Sequence, residues 1–216
     1  MKHIDTCPIL QNMSFAVTET IAAAVVWAMT ALMKNPRVMQ KVQEEIREVF
    51  AGKGFIEEED VQKLPYFKAV IKESMRLYPI LPILLPRETM KKCNIAGYDI
   101  PDKTLVYVNA LAIHRDPETW KDPEEFYPER FIGSDIDLKG QDFELIPFGS
   151  GRRICPGLNM AISTIDIVLS NLLYSFDWEM PEGAKREDID THGQPGLIQH
   201  KKNPLCLVAK KRTECA

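Results

Sequence analysis

The stretch PFGSGRRICPGLNMAIS, residues 147–163, decides how this 216-residue chain is read. Gly149 and Gly151 let the backbone turn tightly and approach a ligand closely. Pro156 suits the first position of the helix that follows, which puts Cys155 at or beside its N-cap. Free N–H groups and partial positive charge there favour a thiolate, and Arg153 adds a cation that can pair with an anionic group. A lone cysteine is ordinarily a small buried hydrophobe. Here the pattern Phe148-x-x-Gly151-x-Arg153-x-Cys155-x-Gly157 fixes five positions. Its chance occurrence is on the order of 10⁻⁴ or less, so the segment reads as a ligand loop followed by a helix over Leu158–Tyr174.

The rest of the composition is that of an ordinary globular chain, 45% hydrophobic with 27 Lys+Arg against 31 Asp+Glu, which excludes wholesale disorder and fibrous repeats. A net charge of −4 gives no general attraction to nucleic acid. Cys7, Cys93, Cys155, Cys206 and Cys215 form no CxxC pair and have no zinc spacing, which argues against a disulfide framework and against a zinc or thiol-redox protein. Nor do His3, His114, His192 and His200 cluster like metal ligands. Met13–Met33 is long enough to span a bilayer. It contains Glu19, however, and a carboxylate at a helix centre costs about 2.5–3.5 kcal/mol on insertion scales. The expectation is a buried core helix and no transmembrane helix.

Helical spacing continues after Asn35-Pro36, an N-cap and first helical residue, through Val38, Val42, Ile46 and Phe50. A short helix opens at the acidic run Glu57–Asp60, and another runs from Pro65 to Tyr78-Pro79. Short strands follow near Leu84–Glu88, Asn94–Ile95, Tyr98–Ile100 and Leu105–Asn109. Then comes a long irregular stretch from His114 to Gly149, of the kind usually held by specific contacts. Two tail strands are expected at Gly196–His200 and Pro204–Val208. The fold class is mainly α with a minor β-sheet (α+β).

Glu73 and Arg76 lie on one helix face, a spacing that is common in exposed ion pairs, and the segment Phe126–Phe131 (FYPERF) follows about fifty residues on. In Ala16-Val-Thr-Glu-Thr20, a hydroxyl beside a carboxylate can relay protons through water, unless both groups are merely satisfied within the helix. Together with the loop at Cys155, these motifs make the chain resemble the cytochromes P-450, the haem-thiolate monooxygenases, in the family's order from about Ser14 to Lys211. LIPFGSGRRICPG (Leu145–Gly157), NLLYSFDW (Asn171–Trp178) and HKKNPL (His200–Leu205) look like the plant A-type group.

The resemblance implies that residues 1–216 are a partial domain, the C-terminal half of that fold. It would comprise a divergent stretch (1–12), helices I, J and K (13–78), small strands and a meander (80–149), the haem-ligand loop (148–157), the L helix (158–174) and a terminal hairpin (196–208). It implies haem b, with Cys155 as iron ligand, Phe148, Gly149, Gly151 and Gly157 shaping the loop, and Arg153 and Arg87 on the propionates. For Arg87, an exposed strand arginine is the alternative. Glu73, Arg76 and Arg130 would form a buried network behind the haem, and His114, in AIHRDPETW, falls in a segment the resemblance marks as structural, which implies packing or a backbone hydrogen bond. Thr20 and Glu19 would serve oxygen activation, although Val17 stands where the family usually has Gly and would narrow the dioxygen groove. Ala16, Ile83, Leu84, Leu85, Leu197 and Ile198 would line the substrate pocket.

The activity implied is insertion of one oxygen atom of O2 into a small apolar or amphipathic secondary metabolite. Electrons would come from NADPH through a flavoprotein reductase on the cytosolic face of the endoplasmic reticulum. The anchor and a Trp-x-x-x-Arg motif are expected to be missing: the residues four beyond Trp27, Trp120 and Trp178 are Ala31, Glu124 and Glu182. The chain itself would then be cytosolic or peripheral. The competing reading is a truncated, non-catalytic homologue that keeps the haem-binding loop.

Overall fold

The computed structural model describes residues 6–212, with side chains from Ala16 onward; His3, Cys215, the side chain of Cys7 and the start of the divergent stretch lie outside them. Helix α1 (Thr6–Lys34) is the central element and begins earlier than its apolar run suggests. Small residues on one side, Ala23, Ala24, Ala28 and Ala31, are buried with Trp27, Leu32 and Met33. They let α4 (Pro65–Leu77) and α6 (Leu158–Ser175) pack closely against it. By length and composition both α1 and α6 would pass for membrane spans, yet α1 buries more than half of that window within the protein, as expected of a core helix.

Helix α2 (Pro36–Val49) is amphipathic, with Val38, Met39, Val42 and Ile46 turned inward. Asn35 precedes it without capping it: the side-chain amide instead donates to Ala31 O at 2.8 Å, closing the end of α1. Helix α3 (Glu58–Val61) is a single turn, within which the Glu57 N–H donates to Asp60 Oδ2 at 3.0 Å. The free N–H groups that open α4 are capped from α2, where both Glu45 oxygens accept at 2.8 Å from the amides of Tyr66 and Phe67. Most of α4, including Phe67, Val70, Ile71, Glu73 and Arg76, is buried.

Strands β1 (Arg87–Glu88), β2 (Cys93–Ile95), β3 (Tyr98–Ile100) and β4 (Leu105–Val106) form two antiparallel ribbons, β1 with β4 and β2 with β3. Arg87 faces Val106 while Ile83 faces Asn109, so the first strand holds one extra residue between these pairs. That bulge, next to Pro86, is why the strand expected over Leu84–Glu88 shortens to two residues. Helix α5 (Ala110–His114) leads into the long irregular segment.

The tail departs from the expected hairpin over 196–208. The observed pair is β5 (Phe176–Glu179) with β6 (Val208–Lys211), and Gly196–His200 is a loop. Pro195 and Pro204 have no N–H to give a ladder, whereas β6, exposed at all four positions, finds its partner at the end of α6. The loop is held from outside: Gln199 N donates to Ile80 O at 2.8 Å and Gln194 N to His200 O at 2.7 Å. Trp27, stacked on Tyr78 with centroids 4.9 Å apart, donates its indole N–H to Gln199 O at 2.6 Å.

Trp27→Phe keeps most of the ring and removes that donor. It is expected to cost about 1–3 kcal/mol in denaturant unfolding and to raise proteolytic cleavage within 190–203. Unchanged cleavage there would show that the tail loop is held without the indole.

Candidate functional site

Helix α6 begins at Leu158 with Gly157 as its N-cap. Pro156 is therefore not its first residue, as the sequence suggested, but lies in a turn closed by Leu158 N donating to Cys155 O at 3.3 Å. Cys155 sits two residues before the N-cap, half-buried and unpaired. Its amide donates to Phe148 O at 2.9 Å, and the Gly149 amide donates to Ile146 O at 2.9 Å. Gly149 and Gly151 have φ of 74° and 70°, a region costly for residues with a Cβ. A Cβ at Gly157 would lie 3.9 Å from Cys155 Sγ, whereas one at Gly151 would meet nothing within 4 Å. Phe148 packs on the core beneath the loop.

Gly140 backs the loop in a way the sequence did not signal. Its φ is 73°, and a Cβ there would fall 2.6 Å from Gly149 O. Its carbonyl accepts the Ser150 hydroxyl at 2.6 Å. The contact spans ten residues of irregular chain, so no local pattern marks it.

Arg87 and Arg153 are both exposed, and the Arg87 guanidinium donates to Arg153 O at 3.3 Å. Two cations thus stand at one edge of the loop. The expected pocket residues divide. Leu84 turns inward, 3.8 Å from where a Gly149 Cβ would be, while Ile83 and Leu85 are about half exposed at 48% and 55%. Leu197 is exposed, Ile198 half-buried and Ala16 exposed. Most of these residues are thus exposed, and a hollow of about 370 Å³ walled by Ile189, Lys201 and Leu205 shares none of them.

Glu73, Arg76 and Arg130 come together. Arg76 is fully buried and all five of its N–H groups have partners. Nε and Nη2 donate to Glu73 Oε2 and Oε1 at 2.7 and 2.9 Å. Nη1 donates to the carbonyls of His114 and Pro123 at 2.7 and 2.8 Å, and Nη2 also to Glu125 O at 3.1 Å. Glu73 Oε1 further accepts Arg130 Nε at 3.1 Å and the Tyr127 amide at 2.9 Å. Trp120 lies beside both guanidiniums, 5.3 and 5.8 Å from its ring centre. His114 makes the backbone hydrogen bond expected of it, accepting from the Ile146 amide at Nε2 (3.0 Å).

Thr20 and Glu19 occupy adjacent positions of α1 and so point in different directions. The Thr20 hydroxyl donates to Ala16 O at 2.6 Å, and Glu19 Oε2 lies 3.8 Å from His200 Nε2 of the tail loop.

The model of the family described as Cytochrome P450 matches residues 3–208. Cytochrome P450 71B14 of Arabidopsis thaliana is 53% identical over 200 residues, covering 93% of this chain and 40% of its own length. The strychnine-11-hydroxylase of Strychnos nux-vomica is 49% identical over 201 residues, covering 93% of this chain and again 40% of its own length. A zebrafish cytochrome P450 solved with abiraterone superposes with a TM-score of 0.80 at 31% identity, over 90% of this chain and 44% of that one. The chain therefore spans about two-fifths of the length of the curated relatives it matches.

Arg76→Ala would leave the buried Glu73 carboxylate only Arg130 and the Tyr127 amide, and would take the donor from three backbone carbonyls, those of His114, Pro123 and Glu125. The expected loss is about 3–5 kcal/mol of unfolding free energy. A midpoint of denaturation indistinguishable from the parent would show that the cluster tolerates the loss of its fully buried cation.

Proposed function

The chain belongs to the cytochrome P450 family, and we propose that it carries the haem-ligating side of a plant haem-thiolate monooxygenase, with Cys155 Sγ as the axial thiolate. The family's cofactor is haem b, and the residues present fit it. Among the described residues no group of three or more His, Cys, Asp or Glu could hold a bare metal ion. A lone thiolate suits an iron that brings its other ligands on a macrocycle. At Gly157 an added Cβ would come within 3.9 Å of the sulfur, so the glycine keeps that side clear of a side chain. That solitary, half-buried cysteine in a loop bent by two left-handed glycines is the observation that carries the reading.

Haem b, when bound, supplies an iron that activates dioxygen for insertion of one oxygen atom into an organic substrate. The chain's own residues would do the rest. Arg87 and Arg153 offer guanidiniums to the propionates at the loop edge, a pairing suited to their fork of donors. Phe148 anchors the loop on the core. Ile83, Leu84, Leu85, Leu197 and Ile198 would supply apolar surface to the cofactor and to a small apolar or amphipathic substrate. One relative's name, strychnine-11-hydroxylase, supports hydroxylation of a small organic molecule. The Thr20 hydroxyl gives its proton to Ala16 O, which leaves its lone pairs to hold a water, and the Glu19 carboxylate would exchange protons with that water. Glu73, Arg76 and Arg130 hold the meander behind the loop. NADPH would deliver electrons through a flavoprotein reductase at the cytosolic face of the endoplasmic reticulum, O2 being the co-substrate.

Two experiments test this reading. Protein loaded with haem, reduced and exposed to carbon monoxide is expected to show the red-shifted Soret band of thiolate ligation, and Cys155→Ser should abolish it; an unchanged band in that variant would sink the assignment. The second concerns turnover. Ile83, Leu85, Tyr107 and Leu197 remain exposed in this chain, so water would reach the iron and reduced oxygen would escape before attacking substrate. With a plant reductase and NADPH, the 216-residue chain is therefore expected to consume NADPH with little coupled product. Sustained product formation lost in Cys155→Ser would show instead that this part of the fold is a sufficient catalyst.

A further inference from the structure

His114 is wholly buried at the end of α5, where it touches both of the structures described above. Its carbonyl accepts Arg76 Nη1 at 2.7 Å, and its Nε2 accepts the Ile146 amide at 3.0 Å. From Ile146 the chain runs straight into the ligand loop. Ile146 O accepts the Gly149 amide, and Phe148 O accepts the Cys155 amide, both at 2.9 Å. One residue thus joins the buried arginine to the segment that presents Cys155. An imidazole that accepts at Nε2 carries its proton at Nδ1 and is neutral. Nδ1 itself is buried without a partner, so Ile146 supplies the ring's polar contact.

We propose that His114 is a positioning residue for the Cys155 loop, registering it against the Glu73–Arg76–Arg130 cluster, and that it does so only as the neutral imidazole. The proposal takes the Cys155 loop as the haem loop from the reading above. If Nε2 gains a proton, a donor faces the Ile146 N–H donor and the hydrogen bond is lost. Two cations near the ring, Arg76 and Arg115, resist that proton, and a contact with the Arg76 backbone favours it but is outweighed. Arg76 approaches from α4 and Arg115 from the end of α5, paired with Glu73 and with Glu124 (2.9 Å) respectively. Burial first, and then the positive charge of Arg76, holds the imidazole down to about 4, from 6.5 when free.

The sign of the linkage follows. Between about pH 6.5 and 4 the opened loop, with a solvated imidazole, binds a proton that the closed form refuses. Closure is therefore fully favoured above 6.5, weakens as pH falls through this window, and loses the contribution below 4. A shift of that size corresponds to roughly a hundredfold rise in the opening equilibrium of the loop.

Amide hydrogen exchange on the whole chain without haem tests this directly, since protection factors remove the intrinsic pH dependence of exchange. From pH 7 to pH 4, protection of the Ile146, Gly149 and Cys155 amides is expected to fall about a hundredfold, while Val42 and Ile46 in α2 change less than tenfold. His114→Gln offers an amide oxygen that does not titrate, and should keep loop protection near the parent value while removing its acid loss. His114→Phe fills the space without an acceptor, and should lower loop protection at least tenfold at pH 7 with α2 unaffected. Acid loss that is uniform over loop and α2, or that persists in His114→Gln, overturns the proposal, as does parental loop protection in His114→Phe. Should either variant fail to fold, the comparison of loop with α2 in the parent still decides. Because no haem is present, a missing thiolate band would refute the assignment of Cys155 without altering this result.

Discussion

The Arg76 guanidinium is the fixed point of the molecule. A charged side chain with no exposure at all is tolerated only when each of its donors is answered, and here two donations go to Glu73 while three go to backbone carbonyls of His114, Pro123 and Glu125. Those carbonyls belong to a stretch with almost no regular secondary structure, so its own backbone ladder cannot hold it. The arginine substitutes for that ladder. Such a buried pair adds little net stability over apolar side chains of the same volume, because desolvation offsets most of the attraction. Its contribution is a unique geometry, since any other arrangement of the meander leaves a buried charge unpaired.

A second anchor sits one residue from Arg130. Glu129 accepts from Arg37 at 2.6 Å, from Lys41 at 3.2 Å and from the Tyr66 hydroxyl at 3.1 Å, tying the 3-10 turn Pro128–Phe131 to α2 and α4. Burial alone would raise this carboxyl, but hydrogen bonds from Arg37, its own backbone and Lys41 outweigh it and pull it down to about 2. Arg37 and Lys41 are largely exposed, so each link is worth under about 1 kcal/mol. Their value is that the meander is gripped on both sides, by a buried cluster and by a surface one.

The loop at Cys155 is built on opposite principles. It is bent by left-handed glycines and braced from behind by Gly140 and Ser150, with arginines at one edge and exposed apolar side chains nearby. The bracing behind fixes where the backbone presents Cys155. The central helix α1 extends the same logic. Its small residues bring α4 and α6 close, and Trp27 reaches out to fix the tail loop that carries Leu197 and Ile198.

How much of this was legible beforehand depended on the range of the interaction. Periodicity marked the helices, and the spacing of Phe148, Gly151, Arg153, Cys155 and Gly157 marked the loop, because in each case the cause lies within one or two turns of chain. Glu73 and Arg76 could be placed on one face by spacing alone, but only the fold showed them buried, since an exposed ion pair has the same spacing. The tail strands were misplaced because β6 pairs with β5 across some thirty residues, and its four exposed positions carry no apolar alternation to announce it. Gly140 and Trp27 left no local sign, and His114 signalled a backbone bond but not its partner, because those partners are Gly149, Gln199 and Ile146. The sequence by itself determined the helices and the tight turns of the loop at Cys155, since hydrophobic period and turn chemistry act on neighbours. Only the tertiary structure decided what holds that loop in place, since an unpaired buried donor or acceptor is satisfied by whichever distant segment the packing brings to it.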